Sequence, residues 1–174
     1  MLAAMGLLFC TLGAAAQQGT APAAMQSTTV ALSVTGAVTT ELHLTAADLK
    51  AMPRTMVTAV DAHEKKSYVF EGVTLQELLL RAGVATGENL RGKGLALCVV
   101  AGAVDGYHAV FSIGELDPSI GAEQVLIADT ADGAPIPQGQ GPLRLVVASD
   151  KRPARWVRML QSITVISATP AAGK

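Results

Sequence analysis

Apolar Val30, Leu32 and Val34 alternate with the smaller, more polar Ala31, Ser33 and Thr35. That period of two predicts a half-buried strand, closed by Gly36. Thr45-Ala46-Ala47-Asp48 has the spacing of a capping box and predicts a short helix over residues 46–52, stopped by Pro53. Two further strands, 54–60 and 67–70, flank a charged turn over 61–66. Thr74 and Glu77 form a second capping box: the hydroxyl accepts from an orphan backbone N–H while the carboxylate reaches back. The helix it opens, 75–82, meets Gly83 where a left-handed cap is wanted.

Strands 95–101 and 107–111 enclose Asp105-Gly106, which predicts a type I′ hairpin with positive φ at both positions. Ser112 and Glu115 repeat the capping-box spacing and predict about one helical turn before Pro118. A strand over 124–128, a turn at Asp132-Gly133 and a Pro/Gly-rich loop to Pro142 follow. The last strands are predicted at 143–148 and 156–166, the second with an interruption. Short strands with two or three brief helices, and no regular βαβ alternation, predict an α+β fold.

Composition narrows the picture. Half of the 174 residues are apolar but only 3% are aromatic, so the core must be built from Val, Leu, Ile and Ala. Thirteen basic residues against 14 acidic give a net charge of −1, which removes any general attraction for nucleic acid. Residues 1–16 carry an apolar stretch ending in Ala14-Ala15-Ala16, the pattern of a secretory signal peptide and too short to span a bilayer. No Lys or Arg precedes that run, and Cys10 reads as one of its hydrophobic positions. Residues 17–27 then form a linker, 28–168 the folded domain and 169–174 a loose tail, in a periplasmic or secreted protein without a transmembrane span. Cys98 is left as the single cysteine of the mature part, so no intrachain disulfide is expected. Its apolar neighbours predict a buried, inert thiol.

Few residues suggest chemistry. Asp61, His63 and Glu64 are the compact cluster of metal-capable side chains, but a structural zinc site wants four ligands. The cluster runs into Lys65-Lys66 and reads as a solvated turn. Residues 87–94 hold glycines and Lys93 but miss the phosphate-loop pattern. Lys151, Arg152, Arg155 and Arg158 fall within eight positions and follow Arg144. Guanidinium forks match phosphate and carboxylate, so this segment is either an anion site or a solvated basic turn paired with Asp150. On one regular strand Arg155 and Arg158 would face opposite ways.

Several segments together resemble the oxidoreductase molybdopterin-binding domain of the sulfite-oxidase superfamily. They are Val30 to Gly36 with the stretch from Leu44 to Pro53, Tyr68-Val69-Phe70-Glu71-Gly72-Val73-Thr74-Leu75-Gln76-Glu77-Leu78-Leu79 with Ala82-Gly83, and Asp105-Gly106-Tyr107. Gly141-Pro142-Leu143-Arg144-Leu145-Val146-Val147, running on to Arg155-Trp156-Val157-Arg158, completes the set. The resemblance implies a strand-rich α+β fold with layered sheets, a β-grasp-like part and short helices. It implies a pterin carrying molybdenum as the family's cofactor, with Arg144, Arg152, Arg155 and Arg158 as the residues that would hold its phosphate. It also implies a metal-ligand cysteine between Val57 and Lys66, and that stretch contains none. The residues by themselves leave the cofactor unknown. Three readings follow: a periplasmic domain binding an anionic small molecule, a pterin or a protein partner without molybdenum redox chemistry; an active molybdopterin-dependent oxidoreductase; or a structural domain with no small ligand.

Overall fold

The computed structural model describes residues 29–61 and 64–169. The chain runs β1 (Val30–Gly36), β2 (Leu42–Thr45), α1 (Ala46–Ala51), β3 (Thr55–Asp61), β4 (Lys66–Thr74) and α2 (Leu75–Arg81). It continues through β5 (Leu97–Ala103), β6 (His108–Ser112), α3 (Ile113–Leu116), β7 (Val125–Ala131), β8 (Ala134–Pro135), β9 (Arg144–Val147) and β10 (Leu160–Ser167). These strands make two five-stranded sheets. The first has the order β2-β1-β10-β5-β6, the second β3-β4-β7-β8 with β9 also paired to β7. Only the β1–β10 pairing is parallel among the described residues. The α+β expectation holds. The predicted signal peptide and linker lie outside the described residues.

Alternation places the core. Leu32 and Val34 of β1, Ile163 and Val165 of β10, and Val99 and Ala101 of β5 point inward and are buried. In the second sheet Phe70 and Leu126 are buried, and Leu145, paired with Ile127, is buried on the face opposite to Leu126. All belong to one contiguous cluster, as expected for two apolar faces packed together. The opposite face of the first sheet is less covered, and this corrects the reading of Cys98. That thiol has the parity of Val100, opposite to buried Val99, and is only half-buried. The unbroken apolar run suggested a strand covered on both faces, whereas β5 is fully covered on one.

Local chemistry sets the element ends. The Thr45 hydroxyl accepts from the Asp48 N–H at 3.2 Å and Asp48 accepts from the Thr45 N–H at 2.8 Å, closing the predicted box. Ser112 and Glu115 do the same for α3. At α2 only half of the box forms. Thr74 accepts from the Glu77 N–H, but the Glu77 carboxylate turns to Arg81 at 2.6 Å, one helical turn on. Gly83 takes the expected left-handed conformation, φ 76°.

The two Asp-Gly turns exchange roles. Asp132 and Gly133 both have positive φ, 51° and 76°, and join β7 to β8 in the manner of a I′ turn. At Asp105-Gly106 only the glycine is left-handed. The Gly106 N–H bonds Ala103 O, and the Ala103 N–H bonds Tyr107 O, so Val104 joins the loop and makes it three residues long. The predicted final strand starts late. Residues 153–155 form a short 3₁₀ turn, Val157 exchanges two backbone hydrogen bonds with Leu145, and β10 begins only at Leu160.

Gly72 sits where the register between β4 and β7 shifts. A Cβ there would lie 1.9 Å from the Ile127 carbonyl oxygen, a clash with backbone that no rotamer relieves. Gly72→Ala is therefore expected to cost about 3 kcal/mol or more in urea unfolding, the scale of overpacking plus strand displacement. A loss below about 0.5 kcal/mol, the scale of an ordinary surface change, would show that β4 and β7 do not approach this closely.

Candidate functional site: the clefts around Arg144

Arg144 opens β9, just after the Gly/Pro-rich loop. Its side chain turns into the domain instead of out to water, and the residue is 3% exposed. A guanidinium cannot shed its proton, so it must find anions and acceptors inside. One terminal nitrogen donates to Asp61 Oδ2 at 2.7 Å and the other to Gln140 Oε1 at 2.6 Å. The guanidinium carbon lies 5.0 Å from the Trp156 ring centroid and 5.5 Å from that of Phe70, and the two rings meet edge to face. Cation–π attraction of about 0.5–2 kcal/mol per ring helps to hold a charge in this position. Nε is buried and donates to nothing among the described residues. An orphan buried N–H costs about 1–3 kcal/mol, so it marks a place where an acceptor belongs.

Two clefts use Arg144 as a shared wall. The first, about 450 Å³, is lined by Asp105, Tyr107, Pro153, Trp156 and Arg158 together with Arg144. The second, about 280 Å³, is more apolar, with Tyr68, Phe70, Ile136 and Pro137 beside Gln140 and Arg144. The first is of the size that small ligands occupy, and the second falls just below it. The Tyr107 hydroxyl donates to the Ala154 carbonyl and ties the first cleft's far side to the 3₁₀ turn. At the second cleft Glu64 accepts from the Tyr68 hydroxyl and from Gln140 Nε2 at 3.3 Å. The Tyr68 bond holds the Glu64 carboxyl below its ordinary range, and the same bond pushes the Tyr68 phenol up. Glu64, Gln140, Arg144 and Asp61 thus form one hydrogen-bonded chain from the β3–β4 turn to the Gly/Pro-rich loop.

The basic residues singled out in the sequence do not act as a group. Arg155 forms a bidentate pair with Asp150 at 2.6 and 3.0 Å and has Glu115 and Glu123 at 3.6 and 3.7 Å. It also stacks over Phe111 at 4.9 Å. The Asp150 bonds raise its pKa further, so its charge is committed to joining the 150–156 segment to α3. Arg158 faces the other way, is exposed, and forms part of the first cleft's wall. Arg152 is exposed outside that wall, and neither it nor Arg158 makes an ion pair among the described residues.

Asp61 requires a correction. The sequence placed it in a solvated turn, yet it ends β3 fully buried, with the parity of inward-facing Val57 and Ala59. Its partner Arg144 lies 83 positions away, which no local pattern could reveal. Glu64 is exposed as expected, and His63 lies outside the described residues. Among the described residues no group of three or more His, Cys, Asp or Glu side chains could hold a metal ion. No described helix is long and apolar enough to cross a membrane.

The family model described as the oxidoreductase molybdopterin binding domain matches residues 18–172, and the chain belongs to that family. Among solved structures it is similar to the sulfane dehydrogenase SoxCD from Paracoccus pantotrophus, at TM-score 0.62 and 20% identity, a likeness of fold. The match covers 82% of this chain but 39% of that one, so this chain spans well under half of the protein it resembles. A comparison with curated proteins finds no match.

Removing Asp61 leaves a buried guanidinium without its anion, which typically costs 3–5 kcal/mol. Asp61→Ala is expected to lose about that much in denaturant unfolding, and adding Arg144→Met should return most of it. A loss under about 1 kcal/mol for the single variant would mean that the pair is solvated, not buried.

Proposed function

We propose that this chain is an exported domain of its family that binds an anionic ligand, with the phosphate-bearing end of a pterin-type cofactor as the leading candidate, and does not support molybdenum redox chemistry. The observation that carries the reading is Arg144, which lines both clefts and whose buried Nε has no acceptor among the described residues. Exposed Arg158 offers a second guanidinium at the first cleft. Asp105 in the same wall, and Asp61 behind Arg144, oppose these two positive charges with two negative ones. Selection therefore rests on directed N–H donors more than on net charge.

The residues suit one end of the family's cofactor better than the other. Arg144 and Arg158 would hold the phosphate, with Tyr107 and Trp156 of the same cleft beside the rest of the ligand. Bound molybdopterin supplies a metal centre for electron and oxygen-atom transfer. A soft sulfur ligand from the protein is what such a centre would ask of the chain. Among the described residues neither cleft wall contains a cysteine, and Cys98 belongs to β5 in the other sheet. Export is supported by the apolar run in residues 1–16 and its Ala14-Ala15-Ala16 ending.

The test is expression in a molybdopterin-competent host, followed by pterin and molybdenum analysis and titration with inorganic phosphate. Phosphate is expected to bind, with affinity about tenfold weaker in Arg158→Ala, the worth of one charge-assisted contact. Stoichiometric molybdenum with sulfite or sulfoxide turnover would replace this reading by an active oxidoreductase. Absence of phosphate and pterin binding would leave a structural domain.

A further inference from the structure

Each sheet leaves edges, and natural edges are usually blunted by shortness, bulges, proline, charge or a covering segment. Most edges here are blunted. β2 is four residues long and its pairing with β1 carries a register shift. β8 is two residues and ends in Pro135. The free side of β9 is covered where Leu145 and Val157 exchange hydrogen bonds. β6 is five residues and opens on exposed His108.

β3 is the least blunted among the described residues, its one charge being the inward-facing Asp61 at its end. It is seven residues long, pairs with β4 in an unbroken register, and holds no charged residue before Asp61. Among the described residues, the backbone of residues 55–60 bonds to no strand but β4, so one row of its N–H and C=O groups is unpaired. Two of its three outward side chains are apolar where an exposed strand would ordinarily be polar: Met56 is 69% exposed and Val60 60%, with Thr58 between them. Val69, opposite Thr58 on β4, extends the strip and is 43% exposed.

We infer that β3 is a self-pairing edge, which joins two copies of this chain through an antiparallel β3–β3 contact centred on Thr58. The strand is close to palindromic in chemistry. Antiparallel pairing about Thr58 sets Met56 against Val60 of the second copy on the outer face, and Val57 against Ala59 on the core side. No like charges meet between residues 55 and 60, because there are none. A foreign strand would need a matching uncharged sequence, whereas a second copy supplies it by symmetry. The area is limited: seven residues span roughly 23 Å, and one strand pair covers less than the roughly 1,200 Å² of a standard stable interface. The contact is accordingly weak and concentration-dependent, with Kd about 10 µM or above.

Sedimentation equilibrium of the purified chain over about 5 µM to 1 mM tests this. The expected result is a reversible monomer–dimer equilibrium. Thr58→Lys places like charges across the symmetry axis and should weaken it about tenfold or more, as should Thr58→Glu, while an equimolar mixture of the two variants should regain dimer. Circular dichroism of each variant checks that the exposed substitution leaves the fold intact. A strictly monomeric wild type at 1 mM overturns the inference. So does a dimer that is insensitive to Thr58→Lys, or a mixture that stays monomeric.

Discussion

A guanidinium that cannot give up its proton lies beneath the surface at Arg144, and much of the second sheet is arranged to tolerate it. Asp61 supplies the counter-charge from the far end of β3, Gln140 an acceptor from the Gly/Pro-rich loop, and Phe70 and Trp156 two ring faces. These groups come from four separate segments, so the charge can be buried only when β3, β4, the Gly/Pro-rich loop and the 153–157 segment are all in place. A buried ion pair is a weak source of stability compared with an apolar replacement, but a demanding one. It fixes which strand ends meet. The two clefts lie on either side of that fixed point, and their shared wall is rigid because Arg144 is held by two hydrogen bonds and two rings.

A second guanidinium, Arg155, does a different job eleven positions along. Its bidentate bond to Asp150, with Glu115 and Glu123 nearby, anchors the segment that carries Trp156. Trp156 in turn donates from Nε1 to the Val147 carbonyl at 2.9 Å and lays its ring against Arg144. Thus Arg155 positions the ring that shelters Arg144, while Arg158 is released to the first cleft. Basic residues that look like one patch in sequence divide into a clamp and a cleft wall.

The strand and helix pattern was legible because it depends on local rules. Alternation in β1, the capping residues Thr45, Thr74 and Ser112, and the left-handed Gly83 all follow from neighbours within a few positions. What escaped was set at long range. β2 is only four residues and gains its identity from pairing with β1. The parity of β3 would have turned Asp61 inward, but without a visible partner a charged residue beside Glu64 and Lys65 reads as a turn. Cys98 was misplaced because periodicity cannot say whether a sheet is covered on one face or two. Of the site, Arg144 was legible through the motif it belongs to, whereas its orphan nitrogen depends on where Asp61 and Gln140 end.

That nitrogen can be observed directly. The Arg144 Nε–H should give its own ¹⁵N–¹H resonance, slow to exchange because the group is buried. On titration with inorganic phosphate it should shift progressively, while the Arg155 Nε–H, already bonded to Asp150, stays in place. An Arg144 Nε–H that remains fixed while phosphate shifts only exposed residues would contradict the account.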